Sequence, residues 1–576
     1  MNVTVPRVKV LLTALCLNVW AANAEELYKP DIPESTQPEK LIEILPETPA
    51  EREGSDEVVL KKLRGLVFHN NPDKLFLSGW PKDGGVVLDQ MEVPGDRAAL
   101  ETELRAYIGK PVSFLDLNDI RRLVERWFID HKLPVIQVVA PPGQDITSGV
   151  VQYVVVSGRL GEMTVEGAEY NDPEWLLAQM RVESGEQLSS RKLNAQLAWL
   201  NRNPFREVNA MLEPGDGFGQ TDVTLKVADR VPRRFSARYE NTGTKSTGHN
   251  RWIVGFNLAN LWQRDHMFSY QYTGSFRSRY LKAHSFDYLA PLPWQHIMNF
   301  SGAYVRSKPK TGNNFNQEGK SWRLGGQYTI PLSFRGKSQP HEVGFGFNFK
   351  RSNSDLNFGG VSVFATDTDV AQFELSYLVG FLDPYGTTQL QVKGVHSPGG
   401  LTRFNNNEDY KEARLNALAD YSYASISLNR HTYLPGDFSW RFELKAQLSA
   451  DSLLSNEQLG AGGFTTVRGY NQFLALGDQG LIVRNELRTP GWAVFTRQSD
   501  LHDNVQFLVF HDYATLGNNH RLDGERATNL SSLGLGLRYR LDRYLTLRLD
   551  YGWQLLESSP GIGKDSQLHA GLEISY

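Results

Sequence analysis

From about residue 233 to residue 576, apolar and polar residues alternate along the chain. In 438–446, 533–540 and 545–554, an apolar and mostly aromatic or leucine residue occupies every second position, and glycine, polar or charged residues lie between. Residues 343–349 alternate phenylalanine and valine with glycine and asparagine. A period of two predicts β-strands with one apolar face and one polar face. This part of the chain is therefore predicted to be a large β-domain.

A membrane-spanning barrel explains the alternation better than a soluble β-domain, whose apolar face would lie in a core. The predicted strands are about 9–11 residues long, the length that a tilted strand needs to cross a bilayer. Some connections are short, whereas 306–321 and 352–368 are long and polar, as expected for periplasmic turns and extracellular loops. A mean hydropathy of −0.40 agrees with a barrel, because half of each strand faces water.

Sixteen strands are predicted in this domain, and an even number places both barrel ends on the periplasmic side. The last strand carries His569, Gly571, Ile574 and Tyr576, a pattern that resembles the signal by which outer-membrane barrels are recognised for assembly. The strands are expected to start near residues 233, 251, 266, 282, 297, 322, 341, 370, 386, 413, 438, 480, 504, 532, 544 and 567.

Residues 58–230 have a different pattern and are predicted to form two small α+β modules, 58–158 and 159–230. In 116–130, apolar residues recur at helical spacing, which predicts a helix with one buried face. Each module is predicted to have the order β-α-α-β-β, so the two form an internal repeat. The predicted elements are a strand near 60–68, helices 97–108 and 116–130, strands 135–139 and 150–157, then a strand 161–165, helices 174–180 and 193–201, and strands 208–212 and 221–227.

Residues 1–24 are predicted to be a secretory signal peptide. Arg7 and Lys9 form its charged region, an apolar stretch follows them, and 22–24 is an Ala-x-Ala cleavage site. The only cysteine of the chain, Cys16, lies in this segment. The mature protein is therefore expected to have no disulfides and no thiol chemistry.

Residues 25–57 form an acidic, proline-rich leader between the signal peptide and the first module. The leader has 11 acidic and 3 basic residues, a composition typical of a solvated linker. A short plug or docking segment is the alternative interpretation. The one predicted helix, 39–45, has at most two turns and is ended by Pro46.

Charge and motifs exclude several classes of function. Without Arg7 and Lys9, 59 basic and 65 acidic residues remain, which excludes nucleic-acid binding as the main function. Histidines such as His69, His131 and His511 have no metal-ligand spacing, and the sequence has no G-x-S-x-G motif and no phosphate-binding glycine loop. We therefore expect no catalytic residues, no metal site and no cofactor, and we interpret the chain as a non-enzyme.

The most informative local feature is the glycine-rich loop 459–475, whose centre is Val467-Arg468-Gly469-Tyr470. With sixteen strands, this loop joins the eleventh strand to the twelfth and is the sixth extracellular loop. An isolated Val-Arg-Gly-Tyr sequence would predict only an exposed loop arginine. At this place in a barrel, we expect the loop to fold into the lumen, where the arginine can reach an acidic partner.

Alternation on the neighbouring strands turns two carboxylates into the lumen beside this loop. Glu486 belongs to the inward face of the twelfth strand, and Asp512 follows Phe510 on that of the thirteenth. A guanidinium and a carboxylate in a partly dry lumen form a bidentate pair that is stronger than a surface pair. We predict Asp512 as the main partner of Arg468. The predicted set, which we call the loop latch, is Val467, Arg468, Gly469, Tyr470, Glu486, Phe510 and Asp512.

These motifs resemble those of the two-partner secretion transporters of the outer membrane, the haemolysin/haemagglutinin secretion-activation family. The family belongs to the POTRA-plus-barrel superfamily and is characterised by V-R-G-Y/F in the sixth loop and F-x-D-x-G on the thirteenth strand. Residues 467–470 match the first motif, and 510–514 match the second, except that Ala514 replaces glycine. The substitution is expected to tighten the packing of the loop and keeps the carboxylate. Further matches lie in 144–159, 203–222 and 239–251, within a resemblance that covers about residues 60–576.

The resemblance implies a mainly β protein, with two α+β POTRA domains in the periplasm and a 16-stranded antiparallel β-barrel in the bacterial outer membrane. It implies that an unfolded exoprotein client, an adhesin, cytolysin or toxin, docks on the POTRA domains and passes through the barrel to the cell surface. Strand addition to a POTRA sheet edge would bind such a client with little demand on its sequence. The other implied partners are outer-membrane lipid and the barrel-assembly machinery.

Three questions stay open at this stage. An outer-membrane protein insertase is the alternative function, and a nutrient-uptake porin is a weaker one because it needs no POTRA domains. Several family members thread a long N-terminal helix through the pore, whereas the leader 25–57 can supply at most a short one. The loop latch either gates transport or only braces the barrel.

Overall fold

The structure is a computed structural model in which the chain divides into two compact units, one with Glu34–Val231 and one with Pro232–Tyr576. The predicted signal peptide and most of the leader lie outside the described residues. The structure describes residues 42–44, 55–89, 91, 93–131, 136–141, 143–215, 219–310, 315–332, 341–358, 361–495, 501–521, 526–557 and 564–576.

The first unit is built from two four-stranded sheets, one two-stranded sheet and four α-helices in its described part, as expected for two α+β modules. Its helices are α1 (Arg97–Arg105), α2 (Phe114–Asp130), α3 (Pro173–Gln179) and α4 (Ser190–Leu200). Its strands are β1 (Ile42–Ile44), β2 (Val58–Leu60), β3 (Gly65–His69), β4 (Gly85–Asp89), β5 (Val112–Ser113), β6 (Ile136–Val139), β7 (Val150–Ser157), β8 (Arg159–Glu166), β9 (Arg206–Pro214) and β10 (Gln220–Asp229). The sheets have the strand orders β4-β3-β7-β6, β1-β9-β10-β8 and β2-β5.

Helix α2 supplies the core of the first module. A capping box starts it: the Ser113 hydroxyl accepts the N–H of Asp116, whose carboxylate accepts the N–H of Ser113. Ile120, Val124 and Phe128 recur at helical spacing on its buried face and belong to the apolar cluster of this module. The helical pattern of the sequence therefore gives the observed buried face.

The first module has three strands more than its expected β-α-α-β-β order. Strands β2 and β5 pair with each other in a separate two-stranded sheet, so the order is β-β-β-α-β-α-β-β and the expectation is wrong for this module. Strand β4 pairs in parallel with β3 at the edge of the four-stranded sheet. The segment has only five residues, of which Val86, Val87 and Leu88 form a continuous apolar run. Such a run has no period of two and gives no clear strand pattern in the sequence.

The leader contributes a strand where a helix was expected. Residues 42–44 form β1, which pairs in parallel with β9 at the edge of the second sheet. The predicted helix 39–45 is therefore wrong at these three residues. A seven-residue segment between Pro38 and Pro46 is too short for a stable isolated helix, whereas Ile-Glu-Ile has the alternation of an edge strand.

Polar residues that carry the family resemblance in the second module are structural. Arg206 is 2% exposed and donates through Nε to Leu200 O and through Nη1 to Asn171 Oδ1, both at 2.9 Å. The Asp222 carboxylate accepts the N–H of Glu162 at 2.7 Å. The contacts of Arg206 join the start of β9 to the end of α4 and to Asn171. The contact of Asp222 joins β10 to β8.

The second unit contains a closed antiparallel barrel of sixteen strands, which confirms the predicted fold class and strand number. The first and last strands close it, with Ser236 opposite Ser575 and Glu240 opposite Gly571. The barrel strands are β11 (Arg233–Glu240), β12 (Arg251–Leu261), β13 (His266–Ser275), β14 (Leu281–Pro291), β15 (Ile297–Ser307), β16 (Phe315–Leu332), β17 (His341–Phe358), β18 (Val361–Asp383), β19 (Gly386–Pro398), β20 (Asp420–Tyr433), β21 (Ser439–Ser449), β24 (Gln479–Arg488), β25 (Asp503–Gly517), β26 (Thr528–Leu541), β27 (Leu545–Gln554) and β28 (Ser566–Ser575). The two remaining strands, β22 (Leu459–Ala461) and β23 (Ala475–Gly477), belong to the loop between β21 and β24.

Two predicted strand starts are wrong because polar hairpins prolong the barrel strands. Strand β16 starts at Phe315, not near 322, and β18 starts at Val361, not near 370. The expected loop 352–368 is instead mostly paired strand, from Ser352 opposite Thr368 onward along β17 and β18. The paired positions there include asparagine, serine and aspartate, so the apolar alternation of the sequence ends before the strands end.

The predicted start of the tenth strand near 413 is also wrong, because a helix precedes this strand. Helix α5 (Asn407–Ala413) lies in the loop between β19 and β20, and β20 starts at Asp420. Asn406 caps α5 by accepting the N–H groups of Glu408 and Asp409. The cap and the two acidic residues of the first turn explain why this polar segment is helical.

The barrel strands have an apolar outer face and a polar inner face. Phe345, Phe373 and Leu535 are more than half exposed on the outside. On the opposite face, Asp512 of β25 and Asp550 of β27 are completely buried. An exposed apolar band with polar residues inside is the arrangement that a bilayer requires. No helix in the described ranges is long and apolar enough to span a membrane.

Candidate functional site

The loop 450–478 folds back against the inner face of the barrel. Strands β22 and β23 pair in antiparallel and carry the tip, 462–474. The tip reverses direction with glycines in the left-handed region, Gly462 at φ 104°, Gly463 at φ 98° and Gly469 at φ 89°. It then contacts side chains or backbone of five consecutive strands, β24 to β28.

Arg468 at this tip forms a bidentate pair with Asp512. Arg468 Nε donates to Asp512 Oδ2 at 2.7 Å, and Nη2 donates to Asp512 Oδ1 at 2.8 Å. The backbone N–H of Arg468 also donates to Asp512 Oδ2, at 3.1 Å. Both side chains are completely buried. The carboxylate therefore fixes both the side chain and the backbone of the loop tip.

Three further groups complete the surroundings of the Arg468 guanidinium. Nη1 donates to Glu486 Oε1 at 2.6 Å and to Asp550 Oδ1 at 3.3 Å. The guanidinium carbon lies 3.5 Å from the centroid of the Phe510 ring, so the ring covers its face. Arg468 thus contacts both carboxylates of the predicted latch and a third, Asp550, that the sequence did not single out.

Each carboxylate around Arg468 also has other arginine partners. Arg488 lies 2.5 Å and Arg484 lies 3.5 Å from Glu486 oxygens. Asp550 pairs with Arg538 at 2.9 Å and with Arg548 at 3.0 Å. The carboxylates therefore remain partly compensated when the loop arginine is absent. Asp512 depends most on Arg468, because the nearest other arginine nitrogen, Arg484 Nε, is 3.8 Å away.

The guanidinium of Arg468 carries its full charge. Burial alone would lower its pKa, but the hydrogen bonds and charge of Asp512, with the charges of Glu486 and Asp550, raise the pKa above its ordinary value. The site is therefore a buried ionic network. Breaking one buried partner of such a network typically costs about 3–5 kcal/mol.

Gly469 brings the backbone of the loop into contact with the barrel wall. Its N–H donates to His569 Nε2 at 3.0 Å, and its carbonyl accepts from Gln554 Nε2 at 2.7 Å. A Cβ at this position would lie 2.9 Å from the carbonyl oxygen of Gly552. A Cβ at Gly552 would in turn lie 2.7 Å from the nitrogen of Gly469. The two glycines therefore permit a backbone contact that no other residue pair allows.

Tyr470 and Val467 bind the loop tip to the barrel wall on either side of Arg468 and Gly469. The Tyr470 hydroxyl lies 2.9 Å from Ser531 O and 2.7 Å from Leu556 O, and these two acceptors share its single hydrogen. Burial raises the pKa of this hydroxyl, so it stays a donor. Val467 is completely buried in an apolar cluster that also contains Ala514. The methyl group of Ala514, which replaces the glycine of the family motif, thus packs in the cluster that holds the loop.

The base of the loop is anchored separately from its tip. Asp478 is completely buried and forms a bidentate pair with Arg414, at 2.5 and 3.1 Å. Its oxygens also accept the backbone N–H groups of Leu453 and Asn519 and the amide of Gln458, all at 3.0 Å. Asp478 therefore joins the sixth loop to its neighbouring loops on both sides.

The structure brings all seven residues of the predicted latch together and adds others. Asp550, Arg538 and Arg548 lie on the inner faces of β26 and β27, where the alternation had placed them. What the sequence did not show is how far the loop tip reaches around the wall. If the loop tip is taken to reach across β24 to β28, every inward-facing charged residue on these strands becomes a candidate partner of Arg468 or of its carboxylates.

Comparison with known proteins identifies the family. The family described as haemolysin secretion/activation protein ShlB/FhaC/HecB matches residues 219–539, and a POTRA domain of the ShlB type matches residues 85–158. The chain belongs to this secretion/activation family. The expectation drawn from the latch motifs is thereby confirmed at the level of the family.

Relatives and solved structures agree with this membership. The outer membrane transporter CdiB of Dickeya dadantii is 24% identical over 472 residues, which cover 79% of this chain and 80% of the relative. The heme/hemopexin transporter protein HuxB of Haemophilus influenzae (strain 86-028NP) is 22% identical over 67% of this chain and 68% of its own length. The structure of CdiB from Escherichia coli has the same fold, with a TM-score of 0.70, 18% identity and full coverage of both chains.

As a member of this family, the chain is an outer-membrane translocator of two-partner secretion, with POTRA domains in the periplasm. The predicted function and location are confirmed, and the insertase alternative is weaker because family and relatives are secretion transporters. The family is one of transporters. In the described ranges, no group of three or more histidine, cysteine, aspartate or glutamate side chains is placed to hold a metal ion.

Proposed function

We propose that this chain secretes an exoprotein client, an adhesin, cytolysin or toxin, and that the loop latch gates its passage through the barrel. The observation that carries the proposal is the burial of the Arg468 network inside the barrel. A loop tip that contacts five consecutive strands occupies space that an unfolded chain needs in transit. The loop therefore has two positions, and Arg468 stabilises the closed one.

The arginines around the site make this closed position reversible. When Arg468 leaves, Glu486 keeps Arg488 and Asp550 keeps Arg538 and Arg548. These two carboxylates are then not left without cations, Asp512 keeps Arg484 at 3.8 Å, and the released guanidinium is hydrated. If the loop only stabilised the folded barrel and never left the wall, Glu486 and Asp550 would need no arginine partners besides Arg468. The anchored base at Asp478 allows the tip to move while the loop stays attached to its neighbours.

The client is proposed to enter from the periplasm as an extended chain. It docks on the POTRA modules by adding a strand to a sheet edge, which uses main-chain hydrogen bonds. No nucleotide-binding motif occurs in the sequence, so folding of the client outside the cell supplies the direction of transport. Catalysis has no part in this proposal. Outer-membrane lipid surrounds the barrel, and the barrel-assembly machinery inserts it.

Deleting this chain is expected to remove one large protein, or a few, from the medium and the cell surface and to leave the unsecreted client in the periplasm. The measurement is a comparison of surface, medium and outer-membrane proteins with and without the chain, with the wild-type chain restored as control. Loss of many unrelated barrels from the outer membrane would instead support an insertase. Unchanged surface and medium proteins would contradict the proposal.

A further inference from the structure

The second POTRA sheet carries a strand that does not belong to the module itself. Strand β1 of the leader pairs in parallel with β9, and the sheet order is β1-β9-β10-β8. Without β1, strand β9 is the edge of the sheet and presents a row of backbone N–H and C=O groups that can pair with another strand. The leader thus occupies an edge that could bind an incoming chain.

The described residues of the leader, 42–44, cover only part of this edge. Strand β9 has nine residues, and β10 pairs with all of them, from Arg206 to Pro214. Strand β1 pairs with three, Ala210, Met211 and Leu212. A longer strand in the same place would gain backbone hydrogen bonds along the rest of β9, each of which adds a modest stabilisation.

The prolines that flank β1 in the sequence disfavour a longer pairing of the leader. Pro38 and Pro46 lie close to either end of β1 and lack the N–H group that a ladder uses. Three paired residues do not hold a separate strand in place. The leader is held near the edge because it is tethered, which gives it an effective concentration on the order of millimolar. A client strand of greater length can therefore displace it.

The register shows which sequences suit the edge. Val208, Ala210 and Leu212 of β9 are buried, whereas Asn209 and Met211 between them are half-buried. In the leader, isoleucines stand opposite Ala210 and Leu212, and a glutamate stands opposite Met211. An incoming strand with an apolar residue at every second position fits the same alternation.

We propose that Ile42–Ile44 is an internal competitor that occupies the β9 edge at rest, and that an extended client segment with alternating apolar residues displaces it in parallel orientation. The inference rests on the proposed function, since it assumes that the POTRA modules receive a client. In this proposal, the leader regulates client docking and is not only a linker. Clients with a short or non-alternating segment do not displace it.

The test is a disulfide that fixes the leader on the edge. Glu43 stands opposite Met211, and neighbouring strands are about 4.8 Å apart, within the range that a disulfide spans. The double variant Glu43→Cys with Met211→Cys in the full-length chain is expected to form this bond in the periplasm. The matched control is Glu43→Cys with Glu207→Cys, whose second cysteine lies on the same strand roughly 13 Å further along. The mature chain has no other cysteine, since Cys16 lies in the predicted signal peptide.

The readout is secretion of the proteins that deletion of this chain removes from the medium. In the bridged variant, their secretion is expected to fall by roughly tenfold or more, since the tethered strand can no longer leave, and dithiothreitol restores it. The control variant secretes at the wild-type rate. Bridging without any loss of secretion overturns the inference and leaves the proposed function intact. A variant that bridges no better than the control overturns the placement of the leader. A deletion that removes no protein from the medium is a separate failure, that of the proposed function.

Discussion

Replacing Arg468 by alanine is expected to reduce secretion by roughly tenfold or more while the barrel still assembles, because a lost buried partner costs about 3–5 kcal/mol. The substitution removes both hydrogen bonds that the side chain makes to Asp512 and the bond to Glu486. Asp512 is then left with Arg484, whose nearest nitrogen is 3.8 Å away. The substitution therefore destabilises the closed position of the loop and not the barrel, since the barrel strands keep their backbone pairing.

Three measurements on the Arg468→Ala variant separate gating from bracing: the amount of barrel in the outer membrane, its heat stability in detergent, and secretion of the client. Gating predicts normal barrel amounts and a loss of secretion that exceeds the loss of heat stability. If heat stability falls in step with secretion, the pair only braces the barrel. Normal secretion at normal barrel amounts would contradict the latch altogether.

Two variants control for loss of charge and loss of any ion pair. Arg468→Lys keeps the charge but cannot form the planar bidentate pair, so it is expected to secrete less than the wild type and more than the alanine variant. Arg430→Ala removes another bidentate pair of the barrel, that with Asp383 on a strand away from the loop. Secretion is expected to remain close to normal in this second variant.

Replacing Gly469 by alanine is expected to be nearly as damaging as the loss of Arg468. The new Cβ would lie 2.9 Å from the Gly552 oxygen and 3.0 Å from its carbonyl carbon, both backbone atoms that cannot rotate away. The residue also has φ 89°, which an L-residue adopts only with strain, at a cost of roughly 1–2 kcal/mol. The tip must then retreat from the wall and give up the pairs of Arg468.

A matched glycine separates the contact from the backbone strain. Gly248 has nearly the same backbone angle, φ 87°, but nothing lies within 4 Å of its added Cβ. Gly248→Ala is therefore expected to cost only the backbone strain, roughly 1–2 kcal/mol of stability, and to leave secretion nearly unchanged. Equal losses of secretion in the two variants, measured at matched barrel amounts, would show that strain alone and not the contact with Gly552 is responsible.

The sequence predicted the barrel and the latch because both depend on local alternation. A period of two gave the strand number and placed Glu486, Phe510 and Asp512 on inward faces. The structure puts all three against Arg468. Contact with Asp550 was not predictable in this way, since it depends on how far a loop reaches around a closed wall, which no local pattern records.

The errors at β1, at β4 and in the β17–β18 hairpin have a common physical cause: each concerns backbone pairing that does not bury a regular apolar face. The polar hairpin of β17 and β18 is held by main-chain bonds beyond the apolar band. Strand β4 is a short, uniformly apolar run at a sheet edge. Strand β1 has only three paired residues, so its Ile-Glu-Ile alternation is too short to predict a strand from the leader sequence alone.

Exposure of the loop tip during transport tests the central claim most directly. Val467 is completely buried at rest, and Val467→Cys introduces the only thiol of the mature chain with little change in volume. A maleimide that cannot cross the outer membrane is added to cells with and without the client. We predict slow labelling in the absence of the client and a clear rise in the labelling rate while the client is being secreted. Undiminished secretion with no rise in labelling would contradict the account, because the loop would then stay closed during transport.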